Sequence, residues 1–180
     1  MSRILIIYGS NYGQTQKMSG VLADELRELG HEVEVISGKK TPRSLSPDKY
    51  DAAIVAASVR MGRYQNYIEK FAREFHEQLM HMPSAFVSVS MAEAHPESSL
   101  GGFNQEWLDS FVQKTGWKPA QFASFGGALC YRQYNFITRF IMKKIAAQSG
   151  MSTDTTRNHE YTDWDAVRKF ARDFSVSLGK

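Results

Sequence analysis

Short apolar runs alternate with segments of helical periodicity along most of the chain, and this alternation constrains the fold more than any other feature. The apolar runs, which indicate strands, cover residues 4–8, 31–36, 52–57, 85–89 and 121–125. The helical segments cover residues 13–29, 64–79, 100–115 and about 163–178. Strands that alternate with helices form a parallel sheet covered on both faces. We therefore predict an α/β fold with a doubly wound five-stranded parallel sheet, in which ligands bind at the carboxyl ends of the strands.

The length of 180 residues favours one domain with its own core, and no linker or repeat divides the chain. We predict a single domain over residues 1–180, with an inserted segment at about 127–154 between the fifth strand and the last helix. The lone cysteine, Cys130, excludes an internal disulfide framework and fits a reducing cytoplasm. No apolar run approaches the roughly 18–20 residues of a membrane span, so we expect any membrane contact to be made from outside the bilayer.

The inserted segment mixes apolar and basic residues. It falls within an acid-free stretch, since no Asp or Glu lies between residues 109 and 154, and the whole chain carries a net charge of +3. A helical wheel predicts a basic amphipathic helix here. Its apolar arc holds Tyr134, Ile137, Ile141 and Ile145. Two roles are equally compatible with this pattern: packing of the apolar face on the domain, and contact with a ligand or a membrane.

The segment GSNYGQT at residues 9–15 joins the first strand to the first helix and has the composition of a phosphate-binding loop. The hydroxyls of Ser10 and Thr15, the amide of Asn11 and the N–H groups at the helix start can donate to a phosphate. No lysine completes a nucleotide triphosphatase motif, and the glycine spacing does not match the dinucleotide pattern. A loop of neutral donors suits a terminal phosphate monoester, and the alternative is an ordinary strand-to-helix turn.

The spacing Ser10-x-x-Gly13-x-Thr15 resembles the phosphate loop of the flavodoxins, and Tyr12 stands where that family usually has a threonine. The resemblance implies a flavodoxin-like sheet of strand order 2-1-3-4-5. Most of the chain also resembles the flavodoxin-type, quinone-dependent protoporphyrinogen IX dehydrogenases of bacterial haem biosynthesis. The stretches that carry this second resemblance are residues 56–71, 82–90, 126–146 and 153–174.

The resemblance implies FMN as cofactor, protoporphyrinogen IX as a six-electron donor, and a membrane quinone, menaquinone or ubiquinone, as acceptor. It also implies a peripheral location at the cytoplasmic side of the inner membrane, while the formation of a homo-oligomer stays open. The flavin carries the redox chemistry, so no catalytic side chain is predicted. Two alternatives are a flavodoxin-type electron carrier and an NAD(P)H:quinone reductase. A carrier would tend to be acidic, and the positive net charge disfavours it.

No nucleic acid partner is predicted, because no basic stripe continues outside the insertion. No metal site is predicted, because the histidines are scattered and His76 and His81 lack the i,i+4 spacing of a ligand pair. The histidines are His31, His76, His81, His95 and His159.

The cofactor-binding residues implied by the resemblance lie in the loops after the strands. They are Ser10, Asn11, Tyr12, Gly13, Gln14, Thr15, Ser58, Val59, Arg60, Met61, Gly62, Ser88, Val89, Ser90, Met91, Gly127 and Ala128. Met61 or Tyr64 would pack on the flavin ring, although Tyr64 fits a core position equally well. The residues expected to meet the substrate, the quinone or the membrane are Arg132, Tyr134, Arg139, Lys143 and Lys144.

Overall fold

The computed structural model describes residues 1–94 and 103–179, with Phe103 described by its backbone alone. The central sheet contains β1 (Arg3–Gly9), β2 (Glu32–Ser37), β3 (Ala52–Ser58), β4 (Ser84–Ser90) and β5 (Gln121–Gly126). Its order is β2-β1-β3-β4-β5 and every neighbouring pair is parallel, which confirms the predicted fold class and strand order.

Helices cover both faces of this sheet: α1 (Gln14–Glu28) and α7 (Trp164–Ser177) pack on one face, and α2 (Asn66–Glu74), α3 (His76–His81) and α5 (Phe103–Thr115) on the other. Two further helices are α4 (Met91–Ala94), directly after β4, and α6 (Phe136–Gln148), in the segment between β5 and α7. Three short 3-10 turns lie at Gly38–Lys40, Pro47–Lys49 and Tyr131–Gln133. Among the described residues, no helix is both long enough and apolar enough to cross a membrane.

The continuous apolar run of β1 reflects burial on both faces of the sheet. Ile4 and Ile6 contribute to a core shared with α1 and α7. Leu5 and Ile7 contribute to the opposite core, which is shared with α2, α3 and α5. Because successive side chains of a strand point to opposite faces, a central strand must be apolar at every position.

One predicted helix differs in the structure. The helix predicted over residues 64–79 is two helices, because Phe75 leaves the helical conformation between α2 and α3. The N-cap of α7 is Asp163, whose carboxylate accepts hydrogen bonds from two backbone N–H groups of the first turn. The predicted start of the third helix at Leu100 lies outside the described residues, as does His95.

The segment between β5 and α7 forms a small unit with its own core. Two short antiparallel strands, β6 (Ala128–Leu129) and β7 (His159–Glu160), close it at its base, and α6 lies between them. Its core contains Leu129, Cys130, Tyr131, Tyr134, Ala146 and Met151. Gly126 allows the returning chain to come close, since a Cβ there would lie 2.6 Å from the backbone oxygen of Tyr161. We call this unit, from β6 to β7, the insertion.

Candidate functional site

A cavity of about 270 Å³ lies at the carboxyl edge of the sheet, between the strand-end loops and the insertion. The carboxyl ends of β3 and β4 and the segments that follow β1, β3 and β4 contribute Ser10, Asn11, Tyr12, Gln14, Thr15, Ser58, Val59, Arg60, Met61, Gly62, Val89, Ser90, Met91 and Ala92. The rest of its lining is Trp107 from α5 and, from the insertion and the residue before it, Gly127, Ala128, Cys130, Tyr134, Thr138, Ile141, Met142 and Ile145. The structure therefore brings together every predicted cofactor-binding residue except Gly13 and Ser88.

The loop between β1 and α1 has the geometry of an anion cradle. Gly13 has φ of 93°, a left-handed conformation that favours glycine, and its N–H donates to Ser10 Oγ over 2.9 Å. No side chain caps the start of α1. The hydroxyl of Thr15 is buried and has no hydrogen-bond partner in the described part of the chain. An uncapped helix N-terminus beside an unpaired buried hydroxyl suits a bound phosphate.

The loop after β3 is a tight hairpin. Arg60 and Arg63 exchange both backbone hydrogen bonds, at 2.9 and 3.1 Å. The two residues between them, Met61 and Gly62, have φ of 50° and 74°, as in a type I′ turn. The turn holds the Met61 side chain out at the rim of the cavity, where it is 90% exposed.

Ser88 and Tyr64 face away from the cavity. The Tyr64 hydroxyl hydrogen bonds Ser88 Oγ over 2.9 Å inside the core, and the Tyr64 ring contacts Phe86 and Phe111 edge-on. Burial raises the pKa of Tyr64 to about 12, with the Ser88 hydrogen bond opposing the shift. Of the two residues predicted to pack on a flavin ring, only Met61 reaches the cavity, and Tyr64 is a core residue.

The inner face of α6 forms the wall opposite the loops. Thr138, Met142 and Ile145 follow helical spacing and line the cavity together with Ile141. Among the residues predicted for substrate, quinone or membrane, Tyr134 alone lies in this lining.

The basic side chains of the insertion point elsewhere. Arg139 is tied to the insertion itself, because its guanidinium donates to the backbone oxygens of Tyr131 and Tyr134 at 3.1 and 3.3 Å. Arg132, Lys143 and Lys144 are exposed and lie outside the cavity lining. The wheel alone gave the spacing of these residues without showing which side of α6 faces the domain.

Tyr12 joins the phosphate loop to the insertion. Its ring meets that of Tyr134 edge-on at 4.8 Å between centroids, and Arg60 lies 5.7 Å from the centre of the Tyr12 ring. Tyr12 also packs against the core of the insertion. The tyrosine at a position where flavodoxins usually carry threonine thus serves as a packing contact for the added unit.

Hydrogen bonds and an ion pair fasten this loop and the start of α1 to the returning chain. Gln14 Nε2 donates to Thr162 Oγ1 over 2.8 Å, and the Thr162 hydroxyl donates to the backbone oxygen of Gly126 over 2.7 Å. Lys17 forms an ion pair with Glu160 over 2.7 Å. Partial burial acts to raise the pKa of Glu160, but hydrogen bonds from Lys17 and nearby groups outweigh it and leave the pKa below its usual value.

The cavity offers little acid–base chemistry of its own. Within its described lining there is no histidine or carboxylate, and Arg60 is the single guanidinium. Burial raises the pKa of the Cys130 thiol, and Glu160 adds to the shift, so the thiol stays protonated and unreactive at neutral pH. Burial likewise raises the pKa of Tyr134 to about 12. No cluster of metal-ligating side chains occurs in residues 1–94 and 103–179.

Sequence reasoning missed some of the lining. Thr138 and Met142 could have been found from their spacing with Ile145, had the orientation of α6 been known. Trp107 gave no such signal, because its position beside the hairpin depends on the packing of α5. Its indole nitrogen lies 3.5 Å from where a Cβ on Gly62 would stand.

Comparison with known proteins agrees with this architecture. The family model of the flavodoxin domain matches residues 5–156. Protoporphyrinogen IX dehydrogenase [quinone] of Escherichia coli K12 is 34% identical over 173 residues, which covers 96% of this chain and 94% of the relative. The protein of the same name from Leishmania major is 31% identical over 177 residues, covering 97% of this chain and 75% of the relative.

Solved structures support the fold alone. Oxidised Flavodoxin 1 from Bacillus cereus superposes with a TM-score of 0.58 at 16% identity, covering 96% of this chain and 97% of the flavodoxin. A short-chain flavodoxin associated with a non-canonical PDU bacterial microcompartment gives a TM-score of 0.59 at 13% identity, with 99% of each chain covered.

Proposed function

The chain belongs to the flavodoxin-domain family and, within it, to the quinone-dependent protoporphyrinogen IX dehydrogenases, and from this membership we propose that it oxidises protoporphyrinogen IX to protoporphyrin IX. A quinone accepts the electrons. One feature of the site carries the proposal: α6 adds an apolar wall opposite the loops that hold the cofactor. A large, mostly apolar ring system needs such a wall, whereas a carrier protein that only exposes its flavin edge does not.

FMN is the cofactor, and the residues present fit it. The unpaired hydroxyl of Thr15 and the uncapped start of α1 leave donors at the place where a phosphate would bind. Ser10, Asn11 and Gln14 line the same end of the cavity. The hairpin at residues 60–63 and the loop after β4 would flank the ring system. When bound, FMN supplies two-electron chemistry, which the protein orients and shields.

The chain's own residues bind the substrate and exclude water from the site. Complete oxidation removes six hydrogens from the porphyrinogen in three two-electron steps, and each step converts one quinone to its quinol. Thr138, Met142 and Ile145 of α6 enclose the substrate side with largely apolar surface. The Tyr134 hydroxyl keeps its proton because its pKa is raised to about 12, so it can donate a hydrogen bond but holds no charge. No proton transfer is assigned to a side chain.

Arg60 takes the role of binding a substrate carboxylate. The insertion arginines were expected to meet the substrate, the quinone or the membrane, but Arg139 donates to backbone oxygens and Arg132 lies outside the cavity. Arg60 lines the cavity from the hairpin, and a guanidinium binds a carboxylate with two parallel hydrogen bonds. The propionates of the porphyrinogen are such carboxylates.

An anaerobic assay tests the proposed function. The protein loaded with FMN is mixed with protoporphyrinogen IX and a quinone, and porphyrin fluorescence is followed against a protein-free control. We expect fluorescence to grow, with about three quinols formed per porphyrin. Equal growth in the control would contradict the proposal. NADPH in place of porphyrinogen should not bleach the flavin rapidly, since rapid bleaching is the result expected of a nicotinamide-dependent quinone reductase.

A matched pair of variants tests Arg60. Arg60→Met should raise the KM for porphyrinogen about tenfold while leaving FMN bound, because a charge-assisted hydrogen bond is lost. Arg63→Met, in the same hairpin but outside the cavity lining, should leave the KM unchanged. Equal effects of the two substitutions would mean that Arg60 acts only through the general charge of the hairpin.

We propose a peripheral location at the cytoplasmic side of the inner membrane. The acceptor is a quinone that resides in the bilayer, so the protein has to reach the membrane surface to be reoxidised. Fractionation of cells should therefore recover the protein with membranes at low salt, and recovery in the soluble fraction under those conditions would contradict this location.

A further inference from the structure

The outer face of α6 exposes a row of large apolar side chains. Phe136 is 85% exposed, Ile137 68%, Phe140 55% and Ile141 47%. Elsewhere in the described residues, large exposed apolar side chains occur singly on their elements, as Leu29, Met80 and Val176 do. Single exposed apolar residues are ordinary on protein surfaces, whereas a contiguous group marks an interaction surface.

This row is continuous with the cavity. At about 100° per residue, Phe136, Ile137 and Phe140 point outward, while Thr138, Met142 and Ile145 face the cavity. Ile141 lies at the boundary, since it both lines the cavity and is exposed. Met61 provides a second exposed apolar point on the same rim. We call Phe136, Ile137, Phe140, Ile141 and Met61 the apolar ridge.

Positive charge frames the ridge. Lys143 and Lys144 are exposed on the same helix, and Lys144 Nζ lies 4.9 Å from the centre of the Phe140 ring. No acidic residue occurs between residues 109 and 154 to offset them. A short helix with exposed aromatic and aliphatic residues beside lysines has the properties of a helix that lies in the interface of an anionic bilayer.

We propose that the apolar ridge inserts into the boundary between headgroups and acyl chains of an anionic membrane, with Lys143 and Lys144 among the lipid phosphates. The cavity mouth at Met61 and Ile141 then faces the acyl region, so a quinone can enter without crossing water. Arg139 keeps α6 in position by binding the backbone of the preceding turn. Pairing of two copies through this face would bring the lysines of both chains together without acids to neutralise them.

The delivery of quinone rests on the proposed function, but membrane docking can be tested without it. The full chain loaded with FMN is floated with vesicles of phosphatidylcholine and phosphatidylglycerol in equal parts, and with vesicles of phosphatidylcholine alone. We expect binding to the anionic vesicles, and weaker binding when the salt is raised to roughly 0.5 M. Absence of binding to anionic vesicles would overturn the proposal.

Two pairs of substitutions separate the apolar and the charged contributions. Phe136→Ser with Phe140→Ser should weaken vesicle binding at least about tenfold, because two aromatic side chains no longer leave water. Lys143→Glu with Lys144→Glu should weaken it by a similar factor on anionic vesicles only. The matched controls are Leu29→Ser with Val176→Ser, and Lys39→Glu with Lys40→Glu, which change exposed residues of similar type elsewhere.

The outcomes distinguish docking from catalysis. Turnover of a short-chain, water-soluble quinone without vesicles should be unchanged in the double Phe variant, while turnover of a vesicle-held quinone falls. A wild-type protein that binds vesicles but oxidises no porphyrinogen contradicts the proposed function and leaves docking intact. Equal vesicle binding by the ridge variants and their controls overturns docking. Docking is also overturned if the protein binds no vesicles and instead forms a dimer that the Phe substitutions dissociate.

Discussion

The phosphate loop and the insertion meet at one cavity, yet they are built in opposite ways. The loop takes its shape from local backbone features, the left-handed Gly13 and the start of α1, and the buried strand β1 holds it. The insertion has its own small core and is closed by strands of two residues each. The phosphate loop is thus a property of the sheet, whereas the proposed substrate wall belongs to a separate unit, whose stability we expect to change independently.

A substitution at the centre of the insertion core should give the largest effect and the strongest test of this difference. Tyr131 is fully buried and its hydroxyl donates to the backbone oxygen of Ser152 over 2.9 Å. Tyr131→Ala should destabilise the insertion by about 3–5 kcal/mol, because a large cavity remains. Amide hydrogen exchange should show lost protection in α6 and retained protection in β1.

The matched control is Tyr131→Phe, which removes only the hydrogen bond and should cost about 1 kcal/mol. If Tyr131→Ala lowers protection equally in β1 and α6, the insertion unfolds together with the sheet and is not a separate unit.

The next largest loss of stability is expected at Gly126, where the sheet meets the insertion. Gly126→Ala places a Cβ 2.6 Å from the backbone oxygen of Tyr161 and 3.2 Å from Ala94 Cα, so backbone has to move. We expect a loss of about 2 kcal/mol in the free energy of unfolding. Gly127→Ala, whose nearest contacts lie at 3.5 Å and beyond, should change it by less than about 0.5 kcal/mol. Similar losses in both variants, measured by denaturant unfolding, would contradict the account of this junction.

Replacement of the unpaired hydroxyl of Thr15 should have opposite effects on stability and on FMN affinity. Thr15→Val should stabilise the FMN-free protein by about 1 kcal/mol, because a buried donor without a partner is removed. The same change should weaken FMN binding about tenfold, since a hydrogen bond to the phosphate is lost. Calorimetric titration and thermal unfolding measure the two effects.

Ser19→Ala is the control for Thr15, because Ser19 also carries a buried, unpaired hydroxyl on α1 but lies outside the cavity lining. It should stabilise the protein without changing FMN affinity. Unchanged affinity in Thr15→Val would remove Thr15 from the phosphate site.

The smallest expected effect concerns the ion pair between Lys17 of α1 and Glu160 of the insertion. The pKa of Glu160 is lowered in the folded protein, so its contribution is fully present above the ordinary pKa of a glutamate. That contribution is lost as the pH falls through the lowered folded value. Glu160→Gln should cost less than about 1 kcal/mol at neutral pH, since Lys17 and Glu160 are partly exposed.

Unfolding measured from neutral to acidic pH checks the sign of this linkage. The difference in stability between wild type and Glu160→Gln should shrink as the pH falls. Glu28→Gln, an exposed residue of α1 outside the ion pairs described, should follow the wild type throughout. A difference that grows at acidic pH would contradict the lowered pKa.

The sheet and the phosphate loop could be predicted from sequence because their residues report local requirements. A continuous apolar run such as residues 52–57 is needed wherever both faces of a strand are buried, and Gly13 is needed where φ is positive. The strand order itself came from the resemblance of the phosphate loop to flavodoxins. Local pattern therefore identified the elements, and the family identified their arrangement.

The directions of individual side chains could not be predicted in the same way. Ser88 lies in a buried strand and pairs with Tyr64, because the strand register turns its hydroxyl away from the cavity. Arg139 looked available for a ligand, yet the carbonyls of the preceding turn bind it. These outcomes depend on contacts between residues distant in sequence or on the rotation of α6, and neither is encoded in spacing alone.

The hydrogen bond between Gln14 and Thr162 joins residues 148 positions apart. During synthesis the phosphate loop therefore leaves the ribosome early but gains this contact only after residue 162 has emerged. Thr162 also binds the backbone oxygen of Gly126, so the same late event closes the insertion. We therefore expect any FMN affinity that depends on this contact to be gained late in synthesis, and nascent chains that end before residue 162 to hold FMN more weakly.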